Sequence, residues 1–446
     1  MAPAAVVFTA QAGISCAGLR RSMCPFSAVD GSCQLGVTPI DVSHRSMNST
    51  ERRATAGLAL VYGLRMLGMF MVLPVFALYA EQLDAAPQAW QIGLAIGIYG
   101  LTQALLQLPL GMASDRIGRK PVIAAGMLVF AGGSLVAGLA DDIVWIIIGR
   151  ALQGAGAIAS AVTALLSDVT RESQRTKAMA ILGAGMGGAF TLALVLGPLV
   201  AGWIGVDGIF LLTAALALAS LPVIFSLVPP AVPPEPRRGS LRQALRDPQL
   251  LRLDGGIFLL HALLTALFVA APMALRDTLG LEADAHWRVY LPVLVVSLLL
   301  VFPLIRWAET AGRLKACFVT AVAMLAISVG LAAWGHAQAG FLCAALLLFF
   351  IAFNYLEGTL PSLISRMAPG DRKGAALGIY STAQFLGAFA GGMLGGWGLE
   401  LAGVTGVFAA CALLALVWLT FATGLRPPHS AGPTEENVEW RAASTK

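Results

Sequence analysis

Apolar residues run along this chain in long unbroken stretches, and polar residues interrupt them in short bursts. Ile92 to Leu110 and Pro121 to Ala140 are two such stretches, with a polar decapeptide between them. A bilayer core of about 30 Å takes about 20 residues to cross as a helix, which these stretches match. They do not alternate, so they read as helices and not as strands of a barrel. The pattern predicts twelve spans, near residues 54–80, 90–112, 121–140, 143–166, 177–202 and 207–228, then 254–275, 288–306, 316–335, 339–365, 374–399 and 403–424.

Composition agrees. The chain is 58% hydrophobic and 12% charged, with a mean hydropathy of +0.79, an apolar excess that one soluble core cannot absorb. The fold expected is all-α and integral to the membrane: twelve transmembrane helices in two pseudo-symmetric six-helix bundles.

Basic residues orient the spans. Arg116, Arg119 and Lys120, then Arg171, Arg175 and Lys177, then Arg237 to Arg252, then Arg306, Arg313 and Lys315, then Arg366, Arg372 and Lys373 fall in alternate loops. The loops between them hold only Arg276 and Arg288, together with the acids Glu81, Asp84, Asp141, Asp142 and Asp207. Both termini are therefore expected in the cytoplasm, and the net charge of +5 is a topology signal, with no nucleic-acid partner implied.

Five segments follow. Residues 1–50 read as a disordered extension or a mis-assigned start, since Met47 is a natural initiator and the stretch lacks the charged and apolar regions of a signal peptide. Residues 51–228 form the first bundle, 229–253 a cytoplasmic linker, 254–425 the second bundle and 426–446 a disordered tail. Leu241 to Leu251 alternates Arg and Leu, so it forms either a short interfacial helix or a solvated connection. Six cysteines show neither metal-ligand nor disulfide spacing.

The bundles repeat each other. Pro74 and Pro272 follow similar apolar pentapeptides; Gly197 to Trp203 resembles Gly391 to Trp397; Asp115, Gly118 and Arg119 correspond to Glu309, Gly312 and Arg313. Nearly constant offsets point to a duplicated six-helix unit. A smaller echo links Gly97-Ile-Tyr99-x-x-x-Gln103 with Gly378-Ile-Tyr380-x-x-x-Gln384.

Three motifs carry a family resemblance. The decapeptide Gly111-Met-Ala-Ser-Asp115-Arg116-Ile-Gly118-Arg119-Lys120 resembles the signature loop between the second and third helices of the major facilitator superfamily. Arg150-Ala-Leu-Gln153-Gly154-Ala-Gly156 resembles its fourth-helix element, and Leu196-Gly197-Pro198-Leu-Val-Ala-Gly202 the fifth-helix element of its proton-coupled antiporters, with Ala201 replacing a glycine. Arg65 to Pro74, Leu166 to Glu172 and Phe353 to Glu357 are similar to the YajR-type multidrug efflux branch over residues 50–425. Members of that branch can carry a soluble domain after the last helix; here a short polar tail follows Leu425, and regulation by such a domain is not expected.

That resemblance implies a charge relay of Asp115, Arg119 and Asp168. Asp115 would rest against the N-terminus of the eleventh helix near Gly374, and Arg119 would pair with Asp168. The other reading is that these charges only fix topology. Three ionisable groups lie deep in the predicted spans: Arg65 about 16 Å into the first, Glu357 about 12 Å into the tenth and Arg150 about 10 Å into the fourth. A charge at the bilayer centre costs at least about 2.5–3.5 kcal/mol, so such groups face a cavity or a partner. Glu357 is the only deep carboxylate. It is either a proton carrier or a structural acid, paired with an arginine or held neutral by hydrogen bonds. His261 either titrates with it or makes a helix–helix hydrogen bond. Tyr99, Gln103, Asn354, Tyr355, Tyr380 and Gln384 suit a substrate cavity or helix packing. The glycines of Gly183-Ala-Gly-Met-Gly-Gly188 are expected to admit a neighbouring helix.

The function expected is secondary active transport, with proton-coupled efflux of small amphipathic compounds by alternating access. The alternatives are export of sugars, amino acids or other metabolites, and a transport-inactive membrane sensor. A bacterial inner membrane and a monomer are expected. No catalytic or metal constellation, cofactor or nucleotide-binding motif is visible, so neither an enzyme nor an ATP-driven pump is implied.

Overall fold

The computed structural model describes residues 46–83, 87–229, 243, 245–369 and 373–426, and the expectations for residues 1–45 and 427–446 fall outside it. The described chain is helical. Ten helices are long and apolar enough to span a bilayer. Two of them cannot be single crossings: at about 1.5 Å per residue, the 56-residue helix Glu172–Leu227 is about 84 Å long. It folds back at Gly205, with φ of 73°, and the 50-residue helix Lys373–Ala422 folds back at Gly403, with φ of 62°. A side chain disfavours such positive φ, so glycine marks both reversals. Counting each as two gives twelve spans.

We number them α1 (Ser49–Glu81), α2 (Ala89–Ile117), α3 (Arg119–Gly138), α4 (Ile143–Asp168), α5 and α6 (172–204 and 206–227), α7 (Pro248–Leu279), α8 (Trp287–Thr310), α9 (Leu314–Gly335), α10 (Ala339–Met367), and α11 and α12 (373–401 and 404–422). The duplication recurs in the backbone. Gly403 follows Gly205 by 198 residues, and Gly312 follows Gly118 by 194, each pair with positive φ at equivalent turns.

Local chemistry moves several boundaries. α1 starts at Ser49, five residues before its predicted start, because Asn48 and Glu51 form a reciprocal capping box. α7 starts at Pro248 instead of 254, because Asp247 accepts from the backbone N–H groups of Gln249 and Leu250 and Pro248 occupies the first turn. The last residues of the predicted linker thus belong to α7, and 245–247 form a turn just before it. Two spans are broken within the apolar region: α1 at Val72, just before Pro74, and α4 over residues 156–158. The face bearing the α2–α3 turn is called the basic face below, and the other the opposite face.

Candidate functional site

The signature loop packs a charge cluster at the basic face. Gly118, with φ of 105°, ends α2 and lets α3 begin at the next residue. Arg119 Nε then donates to Asp168 Oδ2 of α4 at 3.0 Å, and its Nη1 donates to Ser114 Oγ at 2.7 Å. Nη1 also pairs with Asp115, one helical turn earlier. Arg119 and Asp168 are buried, whereas Asp115 is 44% exposed. Lys120 donates to the carbonyl of Val228, Arg116 is exposed, and Gly111 leaves room for Ser160 of α4, whose Oγ would lie 2.9 Å from an added Cβ. The ion-pair partner found for Asp115 is Arg119.

Each fixed position of the fourth-helix motif has a packing reason. Arg150 is buried, and donates from Nε and Nη2 to the carbonyls of Ala95 and Ile96 of α2 at 3.2 and 3.3 Å. Its Nη1 donates to Gln153 Oε1 at 2.8 Å, and Gln153 donates to Ser134 Oγ at 2.8 Å. A Cβ on Gly154 would lie 2.2 Å from the Tyr99 carbonyl, and one on Gly156 would lie 2.4 Å from that of Gly126. The Gly156 carbonyl accepts from Arg65 Nη2 at 3.2 Å, and the same nitrogen donates to Gln103 Oε1 at 2.8 Å. Both guanidinium groups lie over the Tyr99 ring, Arg65 at 5.7 Å and Arg150 at 5.4 Å. Tyr99 and Gln103 are thus buried within the first bundle.

The second bundle holds the opposite chemistry. Glu357 Oε2 of α10 lies 3.9 Å from His261 Nε2 of α7, and 27% of its side chain is accessible. Among the described residues no arginine pairs with it, which removes the arginine-pair reading. Gln384 of α11 lies 2.8 Å from His261 Nε2. Asp254, which the sequence placed at a span boundary, lies two turns inside α7 and seven residues before His261, hence on the same helical face. It is 6% exposed, and its Oδ1 has no hydrogen-bond partner.

α2 and α11 meet backbone to backbone. A Cβ on Gly93 would lie 2.2 Å from the Gly392 carbonyl, and one on Gly392 would lie 2.5 Å from that of Gly93. The seam continues to the Gln107–Thr382 hydrogen bond, at 2.7 Å. At the opposite face Arg276 pairs with Glu81 at 2.5 Å and the Trp90 N–H donates to Glu400 at 3.3 Å, both across the two bundles. A Cβ on Gly202 would lie 2.9 Å from Asp284, while Gly197 meets the α1 backbone near Pro198 and the α1 break, 2.3 Å from the Met71 carbonyl. Phe190 of α5 and Phe353 of α10 touch across the bundles, with centroids 5.7 Å apart.

At the basic face the ion pairs Arg119–Asp168, Arg171–Glu51 and Arg366–Glu309 each stay within one bundle. Below Phe190, added Cβ atoms on Gly183, Gly187 and Gly188 would meet nothing within 4 Å. These three do not admit a packed helix as expected, whereas Gly185 between them meets α1, where an added Cβ would lie 3.7 Å from the Ala59 carbonyl. Tyr355 takes the packing alternative: it is fully buried in the second bundle's core. Asn354 donates to Ser297 Oγ of α8 at 2.9 Å.

Comparison with known proteins follows the same lines. The sequence model of the Major Facilitator Superfamily matches residues 58–270 and again 253–445. Over 390 residues the chain is 48% identical to the inner membrane transport protein YajR of Escherichia coli, covering 86% of this chain and 85% of the relative. Over 349 residues it is 27% identical to the multidrug resistance protein MdtH of Aeromonas hydrophila, covering 76% and 86%. A bacterial homologue of the human lysosomal transporter Spinster, solved inward-facing and occupied, shares the fold with a TM-score of 0.69 at 15% identity, covering 84% of this chain and 97% of that one. With its twelve spans, duplicated halves and intact signature loop, this chain belongs to the Major Facilitator Superfamily.

Proposed function

We propose that the chain is a proton-coupled exporter of small amphipathic compounds in a bacterial inner membrane, with the basic face in the cytoplasm. The orientation follows from the excess of Lys and Arg in the loops of that face. The observation that carries the coupling is the Glu357–His261 pair, a carboxylate and an imidazole at membrane depth on the cytoplasmic side of the Phe190–Phe353 contact. Burial disfavours a lone charge, so Glu357 exchanges a proton readily when its access changes.

In this conformation the glycine seam, the Glu81–Arg276 pair and the phenylalanine contact close the route to the exterior. Rocking of the bundles would part these contacts and close the basic side, where Asp115, Arg119 and Asp168 form the movable lock. A proton bound from outside and released inside would drive the cycle. The test is purified protein in proteoliposomes carrying an internal pH dye. Addition of ethidium should dissipate an imposed pH gradient faster than in empty vesicles, and Glu357→Gln should not. No proton movement in the unmodified protein with either ethidium or the acid 2-naphthoate would remove the reading.

A further inference from the structure

We propose that Arg65 and Gln103 form a binding site in the first bundle for the anionic group, a carboxylate or sulfonate, of an acidic amphipathic compound. That this compound is the transported substrate rests on the exporter reading above; the site itself does not.

Arg65 is fully buried, yet only its Nη2 is engaged, on Gln103 Oε1 and the Gly156 carbonyl. Its Nε and Nη1 have no hydrogen-bond partner, nor has Gln103 Nε2. All three are donors. Arg65 otherwise faces the rings of Phe130, at 4.9 Å, and Tyr99. Tyr99 also carries Arg150, whose own N–H groups are satisfied by neutral acceptors. Two cations thus share one ring, and among the described residues neither pairs with a carboxylate.

The three unpaired groups are all donors, and an anion brings only acceptors. A charged acceptor also strengthens the hydrogen bond that each free N–H of a guanidinium makes. The backbone agrees. α4 is unwound over residues 156–158, where the Gly156 carbonyl holds Arg65, and broken helices at membrane depth characteristically border binding sites. Tyr99 packs edge-on against Phe385 of α11 at 6.3 Å, so movement of α11 would uncover the pocket. The bundles then divide the work: the first holds the negative charge of the compound and the second holds the proton.

The test measures binding of radiolabelled 2-naphthoate to the full-length protein in lipid nanodiscs, beside its neutral isostere 2-naphthamide. Saturable naphthoate binding is expected, with the amide and the Arg65→Gln variant each weaker by at least about tenfold, as for loss of a charge-assisted pair. Gln103→Glu guards against misfolding, since it supplies Arg65 with an internal counter-ion, and it should abolish naphthoate binding while the protein stays folded. Equal binding of acid and amide, unchanged binding in either variant, or no naphthoate binding by the folded protein would overturn the site. Naphthoate binding without proton movement in proteoliposomes would uphold the site and remove antiport. Ethidium-driven proton movement without naphthoate binding would do the reverse.

Discussion

Gln384 Nε2 lies 2.8 Å from His261 Nε2, while the ring's Nδ1 lies 3.3 Å from the carbonyl oxygen of Ile257. A carbonyl only accepts, so Nδ1 carries the hydrogen and Nε2 accepts from the Gln384 amide. The ring is neutral in this arrangement. A proton arriving at Nε2 would require the amide to turn, and Nε2–H would then face Glu357, 3.9 Å away.

Glu357→Gln is therefore expected to keep the fold and the exchange of labelled for unlabelled compound, while uptake driven by a pH gradient falls to background. Counterflow and gradient-driven uptake in the same proteoliposomes separate the two. Gradient-driven uptake at the unmodified rate would take Glu357 out of the coupling.

The basic-face cluster makes a graded prediction. Removing Arg119 leaves Asp168 buried without its cation, a loss of about 3–5 kcal/mol for a buried pair. Asp115 is 44% exposed, and an exposed pair is worth about 0–1 kcal/mol. Arg119→Ala should therefore sharply lower the melting temperature in detergent, and Asp115→Asn should barely move it. Both should abolish transport. Full transport by Asp115→Asn would leave the cluster a topology signal and no lock.

Much of this was legible in the sequence because lipid makes apolar length diagnostic, and because the motif positions report backbone contacts. Gly154 and Gly156 had to be glycine for α4 to touch α2 and α3. What was not legible depends on rotation about a helix axis. Residue type left Tyr355 open between cavity and packing, where the structure buries it, and suggested close packing for Gly183, Gly187 and Gly188, which face open space. Asp254 was missed for a local reason: with α7 taken to begin there, it stood at the very end of the span. Asp247 followed by Pro248, a helix-start signal, would have placed it two turns inside.

The glycine seam gives a conformational prediction. Gly93→Ala puts a methyl carbon about where the Gly392 carbonyl oxygen now lies, at 2.2 Å, and backbone on both sides cannot yield as a side chain would. The bundles must separate at the opposite face. Spin labels at Gln82 and Asp277 should report a longer mean distance in this variant than in the unmodified protein. An unchanged distance distribution would show that the α2–α11 contact does not hold that face shut.

Asp254 makes the last prediction, and it separates two roles. A relay residue passes protons between Glu357 and the basic face, so its loss slows turnover but leaves the final gradient alone. A second carrier adds its own proton to the cycle. At zero membrane potential each coupled proton contributes about tenfold accumulation of a neutral compound per pH unit, since one unit is about 1.4 kcal/mol. Asp254 shares a helical face with His261 and has an unpartnered oxygen. That continuity favours the relay. Asp254→Asn, close in shape and neutral, should slow the initial rate at fixed gradient and reach the same plateau. A plateau lowered by about tenfold per pH unit would make Asp254 a carrier. A rate and plateau both unchanged would make it a buried acid with no part in transport.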